Sequence, residues 1–391
     1  MKFIDHRCGV VICVVLDAVE RVLRLLRGRV RDVGEVKTIL VTKYFGMGSI
    51  LLATPMMAAL RRRFPGAKIV LFTFERNTAF GELLTDVDEV LSLRTSSFGA
   101  FARDLLVRLW QFRRRRFDLA VDLEFFSKFS TIVTYLSGAR ARVGFQLRSL
   151  WRGDLLTHPV YMNQHRHITR DFLAMAEAVS ATLDDPAALC VRPLLDAVRI
   201  PPDADDRVAQ LLPDAASAPL VALNPNASEL SFERRWPADR FVELVQRLHQ
   251  AKPDAKLCLI GSAEDKAYVD GIAQRCDGVV TNLAGRLSVE ELLPFLRGCD
   301  LFITNDSGPL HMAALVGTPT VSFFGPETPE FYGPLGDSET TAVFYKHLYC
   351  SPCLSAYNVK TPVCGGDNRC LQAITVDEVL DSALAMLDRA R

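Results

Sequence analysis

Residues 300–326 constrain the fold more than any other part of the chain. Their sequence is DLFITNDSGPLHMAALVGTPTVSFFGP. An apolar run ends in a tight polar turn, a helix of small residues follows, and a second apolar run comes after a Gly-Thr-Pro turn. Strand, helix and strand in this order form a βαβ unit, which places the two strands parallel in one sheet. The stretch therefore predicts an α/β fold with a parallel sheet.

The polar turn of this unit is typical of an anion-binding site. Asp306, Ser307 and Gly308 lie where the predicted helix begins, and free backbone amides and the helix dipole favour a negative charge there. His311 follows Ser307 by four residues, which places it about one helical turn further on the same side. The same residues also fit an ordinary helix N-cap with a histidine at the surface.

Length and composition limit the classes of protein that remain. The 391 residues are enough for two α/β domains with substantial cores. The formal net charge of zero gives no indication of nucleic-acid binding. No cleavable secretory signal is predicted, so a reducing cytoplasmic setting is expected for the 10 cysteines. No segment reaches the roughly 20 apolar residues that span a bilayer.

Strand and helix patterns alternate along most of the chain and predict two domains, 35–196 and 197–391. The boundary falls in a segment rich in proline, aspartate and alanine at about 184–218. In parallel sheets, ligands bind beyond the carboxyl ends of the strands. Lys43–Ser49 and Asp122–Glu124 follow two predicted strands of the first domain, so we expect both segments at its ligand-binding edge.

Residues 1–34 predict an amphipathic helix that precedes the first domain. Apolar residues recur at helical spacing with arginines between them, a pattern that suits a helix in the interface of an anionic membrane. A helix packed on the protein's own domain fits the same pattern. The Arg113–Arg116 run also has two interpretations, a solvated helix end or a contact with an anionic lipid or membrane surface.

The segment TNDSGPLHMAALVGTPTVSFFGP closely resembles the signature of the heptosyltransferase-like bacterial glycosyltransferases of family nine, which includes the ADP-heptose:lipopolysaccharide heptosyltransferases. The resemblance extends from about residue 37 to about residue 381. It implies two facing Rossmann-like domains, the GT-B architecture, with the nucleotide-diphosphate sugar bound mainly on the second domain. It also implies an inverting reaction that needs no metal or other cofactor.

The resemblance assigns the catalytic base to the first turn of the first domain, where this chain departs from the family. The family has an aspartate in this turn, and here Ser49 stands in its place after Gly46 and Gly48. A serine hydroxyl is no general base near neutral pH without an activating partner. Glu124 and Asp122 are therefore the candidate bases, while Lys43, the two glycines and Ser49 suit contacts with the acceptor or a phosphate.

Further donor-binding residues follow from the same resemblance. Arg235 matches a basic residue before Trp-Pro that meets the diphosphate, and arginine suits bidentate phosphate recognition. Glu264 lies beyond a strand, where a carboxylate can accept ribose hydroxyls. Leu287 matches a position whose apolar side chain contacts the nucleobase of the donor. Asn226 lies in the polar loop after residues 219–224.

Four cysteines near the C-terminus have the spacing C-x2-C-x10-C-x5-C. They are Cys350, Cys353, Cys364 and Cys370. Four thiols in one loop suit a structural zinc, and paired or merely packed cysteines fit as well.

These observations predict a glycosyltransferase that moves a sugar, heptose being the one the resemblance favours, from a nucleotide-diphosphate donor to a lipopolysaccharide or other cell-envelope glycan. It would act in the cytoplasm, peripherally on the inner face of the membrane. The substitution at Ser49 leaves one alternative open, a catalytically silent nucleotide-sugar-binding or scaffold protein of the same fold.

Overall fold

The computed structural model describes residues 2–28, 32–147, 150–181, 196–213, 218–227, 231–336, 339–355, 358 and 360–389. The chain divides into two compact units, Met1–Ala188 and Leu189–Arg391. Each unit contains its own parallel sheet flanked by helices, so the predicted α/β fold class is confirmed. The N-terminal segment 1–34 belongs to the first unit, and most of the predicted boundary segment lies outside the described residues.

The sheet of the first unit has, within the described ranges, six strands in the order β3-β2-β1-β4-β5-β6. The strands are Thr38–Thr42 (β1), Lys68–Phe74 (β2), Glu89–Leu93 (β3), Leu119–Asp122 (β4), Ala141–Phe145 (β5) and His158–Val160 (β6). The central strands are apolar almost throughout, because helices cover both faces of a parallel sheet. Thr42 and Asp122 are partners in the register of β1 and β4. The segments that follow these two strands therefore begin side by side.

The helices of the first unit are Lys2–Arg27 (α1), Met47–Leu52 (α2), Thr54–Arg63 (α3), Thr78–Glu82 (α4), Phe98–Arg115 (α5), Lys128–Leu136 (α6) and Ile168–Glu177 (α7). The helices α1, α6 and α5 lie next to one another, with α6 in the middle. Phe101 of α5 and Phe129 of α6 contact each other, with ring centroids 5.5 Å apart. On its other side α6 meets α1, whose Asp5 accepts hydrogen bonds from the backbone N–H groups of Lys128 and Phe129. Asp5 thereby satisfies amides at the start of α6 that have no partner within the helix.

The second unit repeats the same architecture around residues 300–326. Its sheet has the order β12-β11-β10-β7-β8-β9 in the described part of the chain. The strands are Leu220–Asn224 (β7), Lys256–Leu259 (β8), Val280–Asn282 (β9), Leu301–Asn305 (β10), Thr320–Phe324 (β11) and Thr341–Tyr345 (β12). The helices are Ala204–Leu211 (α8), Ala238–Ala251 (α9), Lys266–Ala273 (α10), Val289–Arg297 (α11), Gly308–Leu315 (α12), Pro329–Tyr332 (α13), Arg369–Gln372 (α14) and Val376–Arg389 (α15). The predicted βαβ unit is thus β10, α12 and β11.

A cluster of aromatic side chains fixes the loop before α9 on the second sheet. Trp236 is fully buried, and its ring lies 4.6 Å from that of Phe323 and 5.1 Å from that of Phe241. The indole Nε1–H donates to the carbonyl of Ile374 at 3.1 Å. Burial of so large an aromatic contributes strongly to the core, and here it also holds the neighbouring arginines in place.

Within the described ranges, none of the helices combines the length and the apolar character needed to cross a membrane.

Candidate functional site

The candidate donor site lies where β10 ends and α12 begins. Ser307 is the N-cap residue of α12, which starts at Gly308. The Ser307 hydroxyl does not cap the helix, because the Asn224 amide and the Thr304 hydroxyl each hold it at 3.0 Å. The described residues provide no other side chain that caps α12 at its N-cap position. Its first amides are therefore available to an anion, and the predicted anion site at this turn stays a prediction.

Three buried asparagines hold this turn against the neighbouring loops. Asn226 donates from Nδ2 to Asn224 Oδ1 at 2.9 Å and to the carbonyl of Ile260 at 3.0 Å. Asn305 accepts the backbone N–H of Trp236 at 2.8 Å. The Nδ2 of Asn226 is therefore used within the protein, whereas its Oδ1 is buried without a hydrogen-bond partner among the described residues. Only that oxygen is left for the predicted contact with the donor.

Asp306 belongs to a cluster of four buried charged side chains. Its carboxylate accepts a hydrogen bond from Arg234 Nη1 at 3.1 Å. A second ion pair, between Glu327 and Lys360, lies beside the first. Burial raises the pKa of Glu327, and the Asp306 carboxylate adds to that shift, while burial lowers the pKa of Lys360. The two carboxylates and the two cations make the cluster neutral overall. The Arg234 guanidinium is the cation next to the turn.

The structure places Arg234, which the sequence analysis missed, beside the turn and places Arg235 elsewhere. The Arg235 guanidinium stacks on the rings of Phe232 and Tyr268, 4.4 and 4.1 Å from their centroids. It also pairs with Asp265 at 3.3 Å. A pattern that asks only for a basic residue before Trp-Pro cannot separate two adjacent arginines. The 3₁₀ turn 232–234 decides which of them reaches the turn.

Three further predicted donor residues lie on separate elements of the second unit. Glu264 is exposed in the loop after β8, and Leu287 is half-buried before α11. His311 lies in the first turn of α12 and is largely buried. Leu287 is therefore not a fully buried core leucine. The roles of all three residues remain predictions.

The two candidate bases of the first unit are fully buried, Asp122 as the last residue of β4 and Glu124 two residues beyond it. Oε1 of Glu124 accepts hydrogen bonds from Lys43 Nζ at 2.9 Å, Tyr44 N at 2.8 Å and Phe45 N at 3.0 Å. Oε2 has no hydrogen-bond partner among the described residues. Glu124 therefore fixes the segment after β1, and its predicted role as base would require residues 43–45 to move.

Asp122 is held even more closely than its neighbour. It accepts hydrogen bonds from Ser130 and Thr131, and Arg152 lies 3.6 Å away. Burial raises the pKa of Asp122, and Arg152 and Ser130 oppose that shift. These contacts tie β4 to α6 and give Asp122 a structural role, so its predicted role as base has less support than that of Glu124.

The glycine-rich turn begins the short helix α2. Gly46 has a φ of +81°, a left-handed conformation that glycine adopts without strain. Gly48 is buried and Ser49 half-buried in the first turn of α2, which contains no acidic residue. The position that carries the family's aspartate is therefore present and accessible, but it holds a hydroxyl.

Comparison with known proteins identifies the family. The profile of glycosyltransferase family 9 (heptosyltransferase) matches residues 106–363. The chain belongs to this family. Its relatives include lipopolysaccharide heptosyltransferase 3 of Escherichia coli, 25% identical over 302 residues that cover 73% of this chain and 82% of that relative. Lipooligosaccharide heptosyltransferase 2 of Haemophilus influenzae is 26% identical over 259 residues, 62% of this chain and 70% of that relative.

Solved structures show the same fold for this family 9 chain. A family 9 glycosyltransferase from Veillonella parvula has a TM-score of 0.70 at 20% identity and covers 90% of this chain and 97% of its own. The E. coli ADP-heptose lps heptosyltransferase II has a TM-score of 0.67 at 20% identity, with 90% and 99% covered. The chain is thus a glycosyltransferase of the GT-B fold class, and the resemblance is confirmed. The silent-protein alternative has no support in these comparisons.

The cysteines of this glycosyltransferase do not form the predicted zinc site. Among the described residues, which include Cys350, Cys353, Cys364 and Cys370, no three His, Cys, Asp or Glu side chains are arranged to hold a metal ion. Cys370 packs into the core of the second unit, and burial raises the pKa of its thiol to about 11. Metals bind the thiolate, so burial opposes ligation by this cysteine.

The N-terminal helix of the family 9 chain is packed with its polar side inward. Glu20 pairs with Arg142 at 2.7 Å, and Arg24 pairs with Asp154 at 2.6 Å. The outer side exposes a continuous apolar surface made of Val11, Ile12, Val14, Val15, Val19, Val22, Leu25 and Leu26. The prediction that the arginines face a membrane is wrong for Arg24, because the protein's own carboxylates take up its charge. The apolar side faces out instead.

Proposed function

We propose that this glycosyltransferase transfers heptose from ADP-heptose to a lipopolysaccharide or related cell-envelope glycan. The curated relatives named above are heptosyltransferases of lipopolysaccharide or lipooligosaccharide, and one solved structure of the same fold is E. coli heptosyltransferase WaaC with ADP. The observation that carries the proposal is the uncapped start of α12 beside Arg234. It offers amides and a guanidinium to a diphosphate at one place.

In this proposal the donor diphosphate binds at the start of α12. The amides after Ser307 and Gly308 and the Arg234 guanidinium would hold its oxygens, while Asp306 would contact the sugar. Preorganised donors of this kind stabilise charge that develops on a leaving group. His311, one turn along the helix, would add to that stabilisation. The acceptor would bind at the turn of the first unit that contains Lys43, Gly46 and Gly48.

The reaction we propose is a single displacement with inversion. The acceptor oxygen forms a bond to the anomeric carbon as the bond from that carbon to the diphosphate oxygen breaks. The acceptor proton passes to a base, for which Oε2 of Glu124 is our candidate. Arg234 and the helix amides supply the positive charge at the leaving group, so we propose that turnover persists in the presence of a chelator.

The test is release of ADP from ADP-heptose in the presence of a lipopolysaccharide-core acceptor. Asp306→Asn should lower the rate by at least about 100-fold, because a contact that strengthens in the transition state is lost. Asp270→Asn is the matched control, since the side-chain partners of Asp270 among the described residues are Lys266 and Asn282, on the surface of the same unit. Equal rates in the two variants would contradict the assigned site. Turnover with UDP- or GDP-sugars alone would contradict the donor.

We further propose that the outer side of α1 holds the protein on the inner face of the cytoplasmic membrane. Exposure of an apolar surface of this extent to water is unfavourable, and such surfaces mark interaction sites. This one suits the boundary between the headgroups and the acyl chains of a bilayer. Each valine or leucine buried there contributes about 1.5–3 kcal/mol. Val15→Gln, Val22→Gln and Leu26→Gln together should therefore weaken vesicle binding by at least about 100-fold.

The control for this test is Tyr161→Gln with Val363→Gln, two exposed apolar residues outside α1. Substitution is preferable to deletion of α1, because Asp5, Glu20 and Arg24 support the first unit. Co-sedimentation with vesicles that is the same for the α1 variant and the control would refute the proposal.

A further inference from the structure

An open groove of about 700 Å³ lies where α1, α5 and α6 end. Four arginines line it, namely Arg24, Arg113, Arg140 and Arg142, together with the two carboxylates Glu20 and Asp154. The groove borders the residues that precede β5 and β6. It therefore lies at the amino ends of the strands, away from the edge that carries the Lys43–Glu124 pair.

The two carboxylates neutralise two of the arginines and leave the other two uncompensated. Arg24 donates to Glu20 and Asp154, and Arg142 donates to Glu20. The Arg113 side chain makes one bond, from Nε to the carbonyl of Leu136 at 2.7 Å, and no other within the described ranges. In the described part of the chain, the Arg140 side chain donates from a single Nη atom, to two backbone carbonyls. Arg113 and Arg140 thus bring charge and unused N–H donors into the groove.

Exposed apolar side chains lie on both sides of this groove. At the end of α1, Leu25 and Leu26 are 88% and 77% exposed. On α5, Leu106 and Trp110 are 69% and 56% exposed, and the Arg114 guanidinium stacks on the Trp110 ring at 3.9 Å. Tryptophan and arginine side by side are typical of a membrane interface, where the ring lies at the level of the headgroups. In a bilayer contact made by both of these surfaces, the groove would lie at the depth of the headgroups.

We propose that this groove binds the phosphate of an anionic phospholipid headgroup, held by Arg113 and Arg140. The proposal rests on the membrane contact of α1 proposed above. A guanidinium binds phosphate oxygens in a fixed fork, and each arginine near an anionic surface contributes about five-fold in affinity. The site would fix the orientation of the protein on the bilayer, which the apolar contact of α1 alone does not determine.

The test compares two variants with equal changes in net charge. Arg113→Gln with Arg140→Gln should lower the affinity for phosphatidylcholine vesicles that contain phosphatidylglycerol by about 25-fold. Arg62→Gln with Arg63→Gln, on α3, should change it by less than about two-fold, because neither of these arginines lines the groove. Binding to pure phosphatidylcholine vesicles should be equal for both variants.

Several outcomes overturn the proposal. Equal losses in the two double variants would show a diffuse charge effect, and no loss in either would show that the groove binds nothing. Displacement of the protein from vesicles by inorganic phosphate at equal concentration would assign the groove to free phosphate.

The single variant Arg113→Gln keeps the test available if the double variant does not fold. If the groove variant binds vesicles as the wild type does while the α1 variant does not, the groove proposal fails and the membrane role of α1 stands.

Discussion

Arg234 and Arg235 offer the sharpest test of the donor site, because they are adjacent, equally charged and differently placed. We expect Arg234→Gln to weaken ADP binding strongly and Arg235→Gln to leave it nearly unchanged. Arg234 lies within hydrogen-bond distance of Asp306, whereas Arg235 is stacked between two rings and paired with Asp265.

The magnitude follows from the kind of bond that is lost. Hydrogen bonds to charged groups contribute about 1.5–3 kcal/mol, so loss of one bond to the diphosphate should raise the Kd for ADP by about 10- to 150-fold. Arg234→Lys keeps the charge but loses the fork and should fall between the wild type and Arg234→Gln. Arg235→Gln loses cation–π contacts that contribute about 1 kcal/mol to stability, and its Kd should change by less than about three-fold.

Titration calorimetry with ADP measures the binding, and urea unfolding measures the stability separately. Arg234→Gln leaves the Asp306 carboxylate buried without its partner, which costs about 3–5 kcal/mol of folding free energy. Binding must therefore be measured where both variants are folded. A larger rise in Kd for Arg235→Gln than for Arg234→Gln would refute the reasoning and restore the assignment made from the sequence pattern.

Three other predictions concern the first unit. Glu124→Gln should lower transfer by about 10²–10⁴-fold with little change in the Kd for ADP; full turnover would exclude Glu124 as base. Ser49→Asp should leave the rate of transfer unchanged or raise it, and Ser49→Ala should lower it less than Glu124→Gln does; a large loss in Ser49→Ala would assign the serine a direct role. Hydrogen bonds from Arg115, aided by Lys68, lower the pKa of Glu89 from 4.5 to about 2. This contribution to stability is complete above pH 4.5 and is lost as the pH falls towards 2, so acid unfolding of Glu89→Gln should lack that part of the pH dependence.

The sequence alone determined the architecture. Apolar runs such as 301–305 and 320–324 must be buried on both faces of a sheet, and the turns between them end in glycine or proline, so few arrangements other than parallel βαβ units remain. The local sequence also located the turn at Asp306–Gly308, because small and polar residues at the start of a helix can be recognised without knowing which other segments they contact. It also located the glycine-rich turn before α2.

Contacts between segments distant in the chain decided the rest. Whether Arg234 or Arg235 reaches Asp306 depends on the 3₁₀ turn 232–234 and on the packing of Trp236 that follows it. That packing involves Phe323, far along the chain. The sequence made Glu124 a candidate base, yet its Oε1 accepts three hydrogen bonds from the segment after β1. The amphipathic pattern of α1 did not determine which side of the helix faces the protein. The ion pair between Glu20 and Arg142 shows that the polar side does. Sequence spacing fixes which residues share a face of a helix or strand, but only the tertiary structure decides what that face meets.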